Sequence, residues 1–229
     1  MSKLPSYRAS PRKMSWAYSM LLCLNANCAL SSEAVQVNTV SANGRLPIRS
    51  WKTLRDARIV KQNFDFSCGS SSIATILNEF YGQRVSEEAV LDAIDKGDLR
   101  ASFDDMARAL SKFGFRAVAY SASFEQLTKL KMPVIVYLKY RKDDHFSVLR
   151  GIDADTVWLA DASVGNRYLS RHQFLAMWET RDTRTLKGKI LVILPHQADV
   201  LTAEDFFTNH PRRPTALATS LQLQRNLPP

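Results

Sequence analysis

The stretch Gln62-Asn-Phe-Asp-Phe-Ser-Cys68-Gly69-Ser70-Ser71-Ser72-Ile73-Ala74 sets a cysteine at the first turn of the strongest helical pattern in the chain. Unpaired backbone N–H groups and the helix dipole at such a position stabilise a thiolate and lower the cysteine pKa toward that of a nucleophile. Gly69 and the three serines leave the approach to the sulfur uncrowded, which makes Gly69 and Ser70 candidate substrate contacts. The competing reading is a cysteine that only fills the core. Such a residue would fall more naturally on the apolar stripe of Ile73, Ile76, Leu77 and Phe80.

A thiolate that attacks an amide also needs an imidazole to share and return the proton, a group to hold the ring, and donors for the developing oxyanion. Four histidines are available. His172 lies in a predicted helix, and His196 and His210 follow the last predicted strand near prolines. His145 stands at the mouth of a core strand, after the polar turn 141–144 and before Phe146-Ser-Val-Leu149. Asp161 closes the next strand, Val157-Trp-Leu-Ala160, and the connection 151–156 is short enough for a hairpin. The start of one antiparallel strand and the end of its neighbour lie at the same end of a sheet, so His145 and Asp161 can meet. Each residue alone also has a structural reading: histidines at strand mouths are commonly structural, and Asp161 can simply open a turn with Ala162, Ser163 and Gly165.

The elements that must position these groups are legible in part. Cys68 to Tyr81 predicts a helix stopped by Gly82, Ser86 with Glu87 and Glu88 opens a second to about Ile94, and Ser102 with Asp105 opens a third ended by Gly114. Ser123 with Gln126 and Ser170 with Gln173 are capping-box pairs for two more. Strands are expected at 134–138, 146–152, 157–160 and 190–194. Helices first and strands after predict an α+β domain with an antiparallel sheet. Upstream, Val35, Val37 and Val40 alternate with polar residues before Asn43-Gly44, which predicts a strand and hairpin turn.

The 229 residues, 45% of them hydrophobic, suit one domain with extensions. The net charge of +9 falls to +5 without Lys3, Arg8, Arg12 and Lys13, and the remainder has no like-charge block, so no nucleic-acid partner is expected. Residues 1–29 read as a signal peptide, basic to Lys13 and then apolar over Met14–Leu24, with an uncleaved anchor as the alternative. No later stretch is apolar enough to cross a membrane, so no integral membrane domain is expected after signal removal. Cleavage after Ala29 would remove Cys23 and Cys28 and leave Cys68 as the single thiol of an exported, periplasmic chain. The expected organisation is an extension over 30–57, a domain over 58–195 and a partly ordered tail over 196–229.

Over 61–178 the sequence resembles the C39 peptidases, papain-like enzymes that remove double-glycine leaders from exported peptides. The resemblance rests on Gln62 six residues before Cys68-Gly69, on His145-Phe146 leading to Gly151-Ile152, on Asp161, and on Gly165, Leu169-Ser170 and Trp178 after it. It implies a papain-like fold in which helices carrying the cysteine pack on a sheet carrying His145 and Asp161. It implies further a thiol peptidase with Cys68 as nucleophile, His145 as base, Asp161 as its orienting acid and Gln62 in the oxyanion hole. No cofactor or metal is implied. Ser70, Ser71 and Ala162 depart from the alanines and proline usual in the family. A freestanding domain behind a signal is similar to the periplasmic C39-like component of functional-amyloid secretion systems. That similarity implies an exported peptide or protein as substrate and an outer-membrane secretion apparatus as partner. C39-like domains that bind exported substrates without cutting them are the alternative, and retention of Cys68, His145, Asp161 and Gln62 argues for the enzyme over it.

Overall fold

A computed structural model describes residues 34–38, 43–97, 99–140, 143–197 and 199–212, in two units, Met1–Ile48 and Arg49–Pro229. The expected signal segment and residues 213–229 lie outside the described residues. In the first unit, β1 (Ala34–Asn38) pairs antiparallel with β2 (Asn43–Pro47). Asn43-Gly44 was expected to turn the chain, but it opens β2, with Asn38 opposite Asn43 and Val37 opposite Gly44. Five cross-strand pairs, Val35 opposite Leu46 among them, set the register over the local preference of one dipeptide.

The second unit begins with α1 (Trp51–Asp56), capped by Ser50, and continues to α2 (Cys68–Glu79), α3 (Glu87–Ile94) and α4 (Phe103–Leu110). Helices α3 and α4 start where their caps predict: Ser86 accepts from the Ala89 N–H, and Ser102 and Asp105 form a reciprocal capping box. Gly82 follows α2 at φ +64°, a conformation that ends the helix without a side-chain clash. A six-stranded antiparallel sheet follows, made of β3 (Phe115–Ala122), β4 (Val134–Tyr140), β5 (Asp143–Ile152), β6 (Thr156–Asp161), β7 (Gly165–Ser170) and β8 (Gly188–Pro195). Its order is β3-β8-β4-β5-β6-β7. Two short helices with capping boxes, α5 (Phe124–Leu127) and α6 (Arg171–Trp178), complete the domain. Among the described residues no helix is long and apolar enough to cross a membrane.

The sheet is covered on both faces, and alternation along its strands sorts side chains between two cores. Ile135, Val148, Ala160 and Leu191 join Ile73, Ile76, Leu77, Met106 and Leu110 of the first helices. Val134, Val136, Leu149 and Leu159 join Phe174 and Trp178 of α6. A strand buried on both faces reads as a continuous apolar run, which is why Val-Ile-Val-Tyr-Leu of β4 was legible.

The segment after β8 is built into this domain rather than trailing from it. The Ala203 N–H donates to the Phe80 carbonyl at 2.8 Å, and Thr208 exchanges backbone bonds with Arg150 and Ile152 beside Gly151. Phe206 is fully buried, with the guanidinium groups of Arg58 and Arg150 over its ring, 5.0 and 4.6 Å from its centre. A buried aromatic truncated to alanine loses transfer energy and leaves a cavity. Phe206→Ala should therefore lower stability by about 3–5 kcal/mol, read from the denaturant midpoint; an unchanged midpoint would show that this segment carries no stability.

Candidate active site

Helix α2 is buried around its whole circumference over its first ten residues, between the sheet and the helices α3 and α4. Cys68, its first residue, is 2% exposed. Gly69 and Ser70, expected to meet substrate, are turned into the protein instead: Ser70 is 1% exposed, and a Cβ at Gly69 would overlap the Met106 methyl group. Their smallness serves the close approach of α2 to α4. The correction follows from α2 being a central helix, whereas an apolar stripe in sequence predicts one buried face.

The register of the sheet brings the histidine and the aspartate together. Val148 lies opposite Ala160, and continuing that pairing puts Asp161 opposite Ser147, whose hydroxyl donates to the Ala160 carbonyl at 3.2 Å. His145, two residues before Ser147, shares the face of Asp161 as its diagonal neighbour, within reach of long side chains. His145 Nε2 stands 2.9 Å from Asp161 Oδ2. A carboxylate only accepts, so Nε2 carries the proton and Nδ1 is the ring nitrogen left for an interaction with Cys68. The second oxygen of Asp161 accepts from the Ser163 N–H at 3.0 Å, the Ser163 hydroxyl at 2.7 Å and the Val164 N–H at 3.2 Å. Asp161 therefore opens a turn and holds the imidazole at once.

These contacts decide the protonation of the three groups. Burial pushes the Cys68 thiol up, but the hydrogen bond and charge of His145, a backbone N–H at Phe146 and the charge of Arg100 outweigh it and hold the thiol below its ordinary value. Burial alone would lower His145, yet its bonds to Asp161 and Cys68 and their charges raise it to about 9. Burial would raise Asp161, and the bond and charge of His145, with Ser163 and Val164, bring it down to about 2. The thiol and imidazole shifts both favour a thiolate–imidazolium pair, and the two titrate as one coupled unit.

Gln62 lies in the loop before α2 and is tied to the turn after Asp161. Its backbone N–H donates to the Ala162 carbonyl at 3.2 Å, and the neighbouring Lys61 ammonium donates to the Ser163 carbonyl at 2.8 Å. Its Nε2 donates to the Phe64 carbonyl at 3.0 Å, which leaves one amide hydrogen for another acceptor, while its buried Oε1 has no partner among the described residues. His172, His196 and His210 have no contact with this cluster among the described bonds.

A cleft of about 670 Å³ opens on His145 and Asp161, with Trp51 and Arg55 of α1, Arg100, Leu138, Tyr140, Val164, Arg167 and Met177 on its walls. Helix α1 was read as part of an extension, but it is fixed beside the site. Asn166 donates to the carbonyls of Leu54, Arg55 and Ala57 at 3.4, 3.0 and 2.9 Å. Gly165, at φ +94°, lets the chain pass where a Cβ would stand 2.7 Å from the Arg55 carbonyl oxygen. Neither Trp51 nor Arg100 carries a sequence signal of this placement, since both sit in mixed polar stretches without a chemical motif.

Comparison with known proteins agrees with this architecture. The peptidase domain of Streptococcus ComA, described as a bi-functional ABC transporter involved in quorum sensing, superposes with a TM-score of 0.52 at 20% identity, over 60% of this chain and 98% of that domain, and so shares its fold. Two curated relatives named "Probable functional amyloid protease FapD", from Pseudomonas fluorescens and Pseudomonas aeruginosa, are 37% and 33% identical over 138 residues. Those alignments span 57% of this chain and 61% of each relative. The Peptidase C39 family profile matches residues 56–181, from the end of α1 past α6 and including Gln62, Cys68, His145 and Asp161; the chain belongs to the peptidase C39 family.

Proposed function

We propose that this chain is a cysteine endopeptidase that acts in the periplasm on an exported protein of a functional-amyloid secretion pathway, next to an outer-membrane secretion apparatus. The single observation that carries the peptidase reading is the 2.9 Å bond from His145 to a buried Asp161, beside a Cys68 thiol that the interaction with His145 helps hold below its ordinary pKa. Support for the pathway comes from the names of the relatives, and support for the compartment from the signal character of residues 1–29.

In this reading the Cys68 thiolate adds to the scissile carbonyl carbon, and the oxygen takes the electron pair. The free amide hydrogen of Gln62 and the Cys68 N–H, one of the unpaired donors of a helix start, receive that oxyanion. Collapse of the adduct breaks the C–N bond, and the His145 imidazolium gives its Nδ1 proton to the departing amine. Water then enters, His145 takes its proton, and hydrolysis of the thioester returns the thiolate. Asp161 keeps the ring in the tautomer that leaves Nδ1 for the sulfur.

The test uses the full chain and a peptide carrying a Gly-Gly pair, with fragments identified by mass. Gln62→Ala should lower turnover by about ten- to a thousandfold, because an oxyanion donor acts mainly in the transition state. Labelling of Cys68 by limiting iodoacetamide should stay at its native rate in that variant. Absence of fragments from the native chain, together with labelling no faster than that of a free cysteine, would end the peptidase reading.

A further inference from the structure

The loop from Gln62 to Ser67 has no regular structure, yet it connects the amide of Gln62 to the N-terminus of α2. Donors for an oxyanion work only when held to within a fraction of an ångström, so something must fix this loop. The Gln62 N–H is tied to the Ala162 carbonyl, and the backbone beyond it is anchored at one side chain. Glu87, in the first turn of α3, is 3% exposed and accepts the Asn63 N–H with both oxygens, Oε1 at 2.9 Å and Oε2 at 3.1 Å. The same Oε1 accepts the Ser67 hydroxyl, and that hydroxyl accepts the Phe64 N–H at 3.2 Å. A hydroxyl hydrogen serves one acceptor at a time, and the charged carboxylate is a stronger acceptor than the Phe64 carbonyl 2.8 Å away. The Phe64 carbonyl is then left to the Gln62 amide and the Ser67 N–H, which reach it at 3.0 and 3.2 Å.

Among the described residues Glu87 makes no ion pair, so its buried charge is met by N–H and O–H donors of this one loop. Burial of an unpaired carboxylate is costly. A helix-start acid serves its cap equally well from the surface, as the fully exposed neighbour Glu88 does while it holds the Asn63 side chain at 2.8 Å. We infer that Glu87 is a positioning residue: it locks the 62–67 loop so that the Gln62 amide faces the carbonyl that Cys68 attacks. The inference rests on the peptidase reading and adds a residue outside the Cys68, His145, Asp161 and Gln62 set. Neither Asn63 nor Ser67 touches substrate in it; both are the handles by which the carboxylate holds the loop.

The test compares kcat and KM of the full chain on a fluorogenic Gly-Gly peptide for native protein, Glu87→Gln, Gln62→Ala and the double variant. Glu87→Gln keeps the volume and one acceptor oxygen but turns an NH2 group toward the Asn63 N–H. It should lower kcat about tenfold or more, with KM and the Cys68 labelling rate within about twofold of native, since the nucleophile is untouched. In the Gln62→Ala background the same substitution should cost less than about twofold, because the group it positions is gone. An equal loss in both backgrounds would overturn the inference and leave a structural carboxylate only. Slowed Cys68 labelling in Glu87→Gln would also overturn it, by placing the effect on the thiol. Should Glu87→Gln not fold, Ser67→Ala carries the same two-background comparison with the carboxylate left in place. If the native chain does not turn the peptide over, or Cys68→Ala turns it over equally, the peptidase reading fails first and takes this inference with it.

Discussion

Cys68→Ala should abolish cleavage, with turnover lower by roughly 10⁴-fold or more, because no other group in the site can form the covalent intermediate. The fold should survive. Cys68 is a small member of a large core that includes Ile73, Met106 and Phe146, and the loss of one sulfur there costs on the order of 1 kcal/mol. Intact mass of the exported partner from cells carrying native or Cys68→Ala protein gives the answer directly. Maturation and export at native levels in the variant would mean that the domain holds its partner without cutting it, the role of a binding module.

The next largest effect is expected at His145. His145→Ala removes both the proton donor for the leaving amine and the positive charge that stabilises the thiolate, so turnover should fall about a hundred- to ten-thousandfold. Unlike Gln62→Ala, it should also slow iodoacetamide labelling of Cys68 near neutral pH, since the thiol loses the partner that holds it below its ordinary value. The native pH profile has a determined sign on its alkaline side. A histidine raised to about 9 keeps its proton below that pH, so turnover should fall as pH rises through 9. The acid side should fall where the thiolate is protonated, at a pH below the ordinary thiol value. Linkage gives the same histidine a stabilising contribution that is complete below 6.5, its ordinary pKa, and lost as pH rises through 9. A profile that keeps rising beyond pH 9 would exclude an imidazolium as the acid.

What was legible in the sequence follows physical lines. Helix starts were readable because caps are local: Ser86, Ser102, Ser123 and Ser170 each accept the backbone N–H three residues on. The four inner strands were readable as apolar runs. The two that were not, β3 and β7, are the edges of the sheet. β3 is buried only at Phe115, Ala122 and little between, and exposes Val118 and Tyr120, so it has neither a run nor a clean alternation. β7, with Gly165, Asn166 and Arg167, looks like the rest of the Asp161 turn. At the site, the proximity of His145 and Asp161 could be read from strand order alone. The burial of Gly69 and Ser70 could not, because it depends on which helices close over α2. Glu87 was read as a first-turn acid beside Glu88, and nothing local separates the two; only the tertiary fold buries one and exposes the other.

The sheet order has a consequence for when the protein can work. β8 follows every other strand in the chain, yet it lies between β3 and β4, with eight cross-strand pairs to β3 and two to β4. Phe206, later still, fills the core that also holds Cys68. A chain emerging from a ribosome or a translocation pore in the N-to-C direction therefore exposes the thiol long before the residues that complete its surroundings. Contacts so distant in sequence form slowly and late. Until Pro195 is free β3 has no neighbour in the sheet, and until about residue 208 is free the core around α2 is unfinished, so a partly threaded chain has a cysteine but no assembled site.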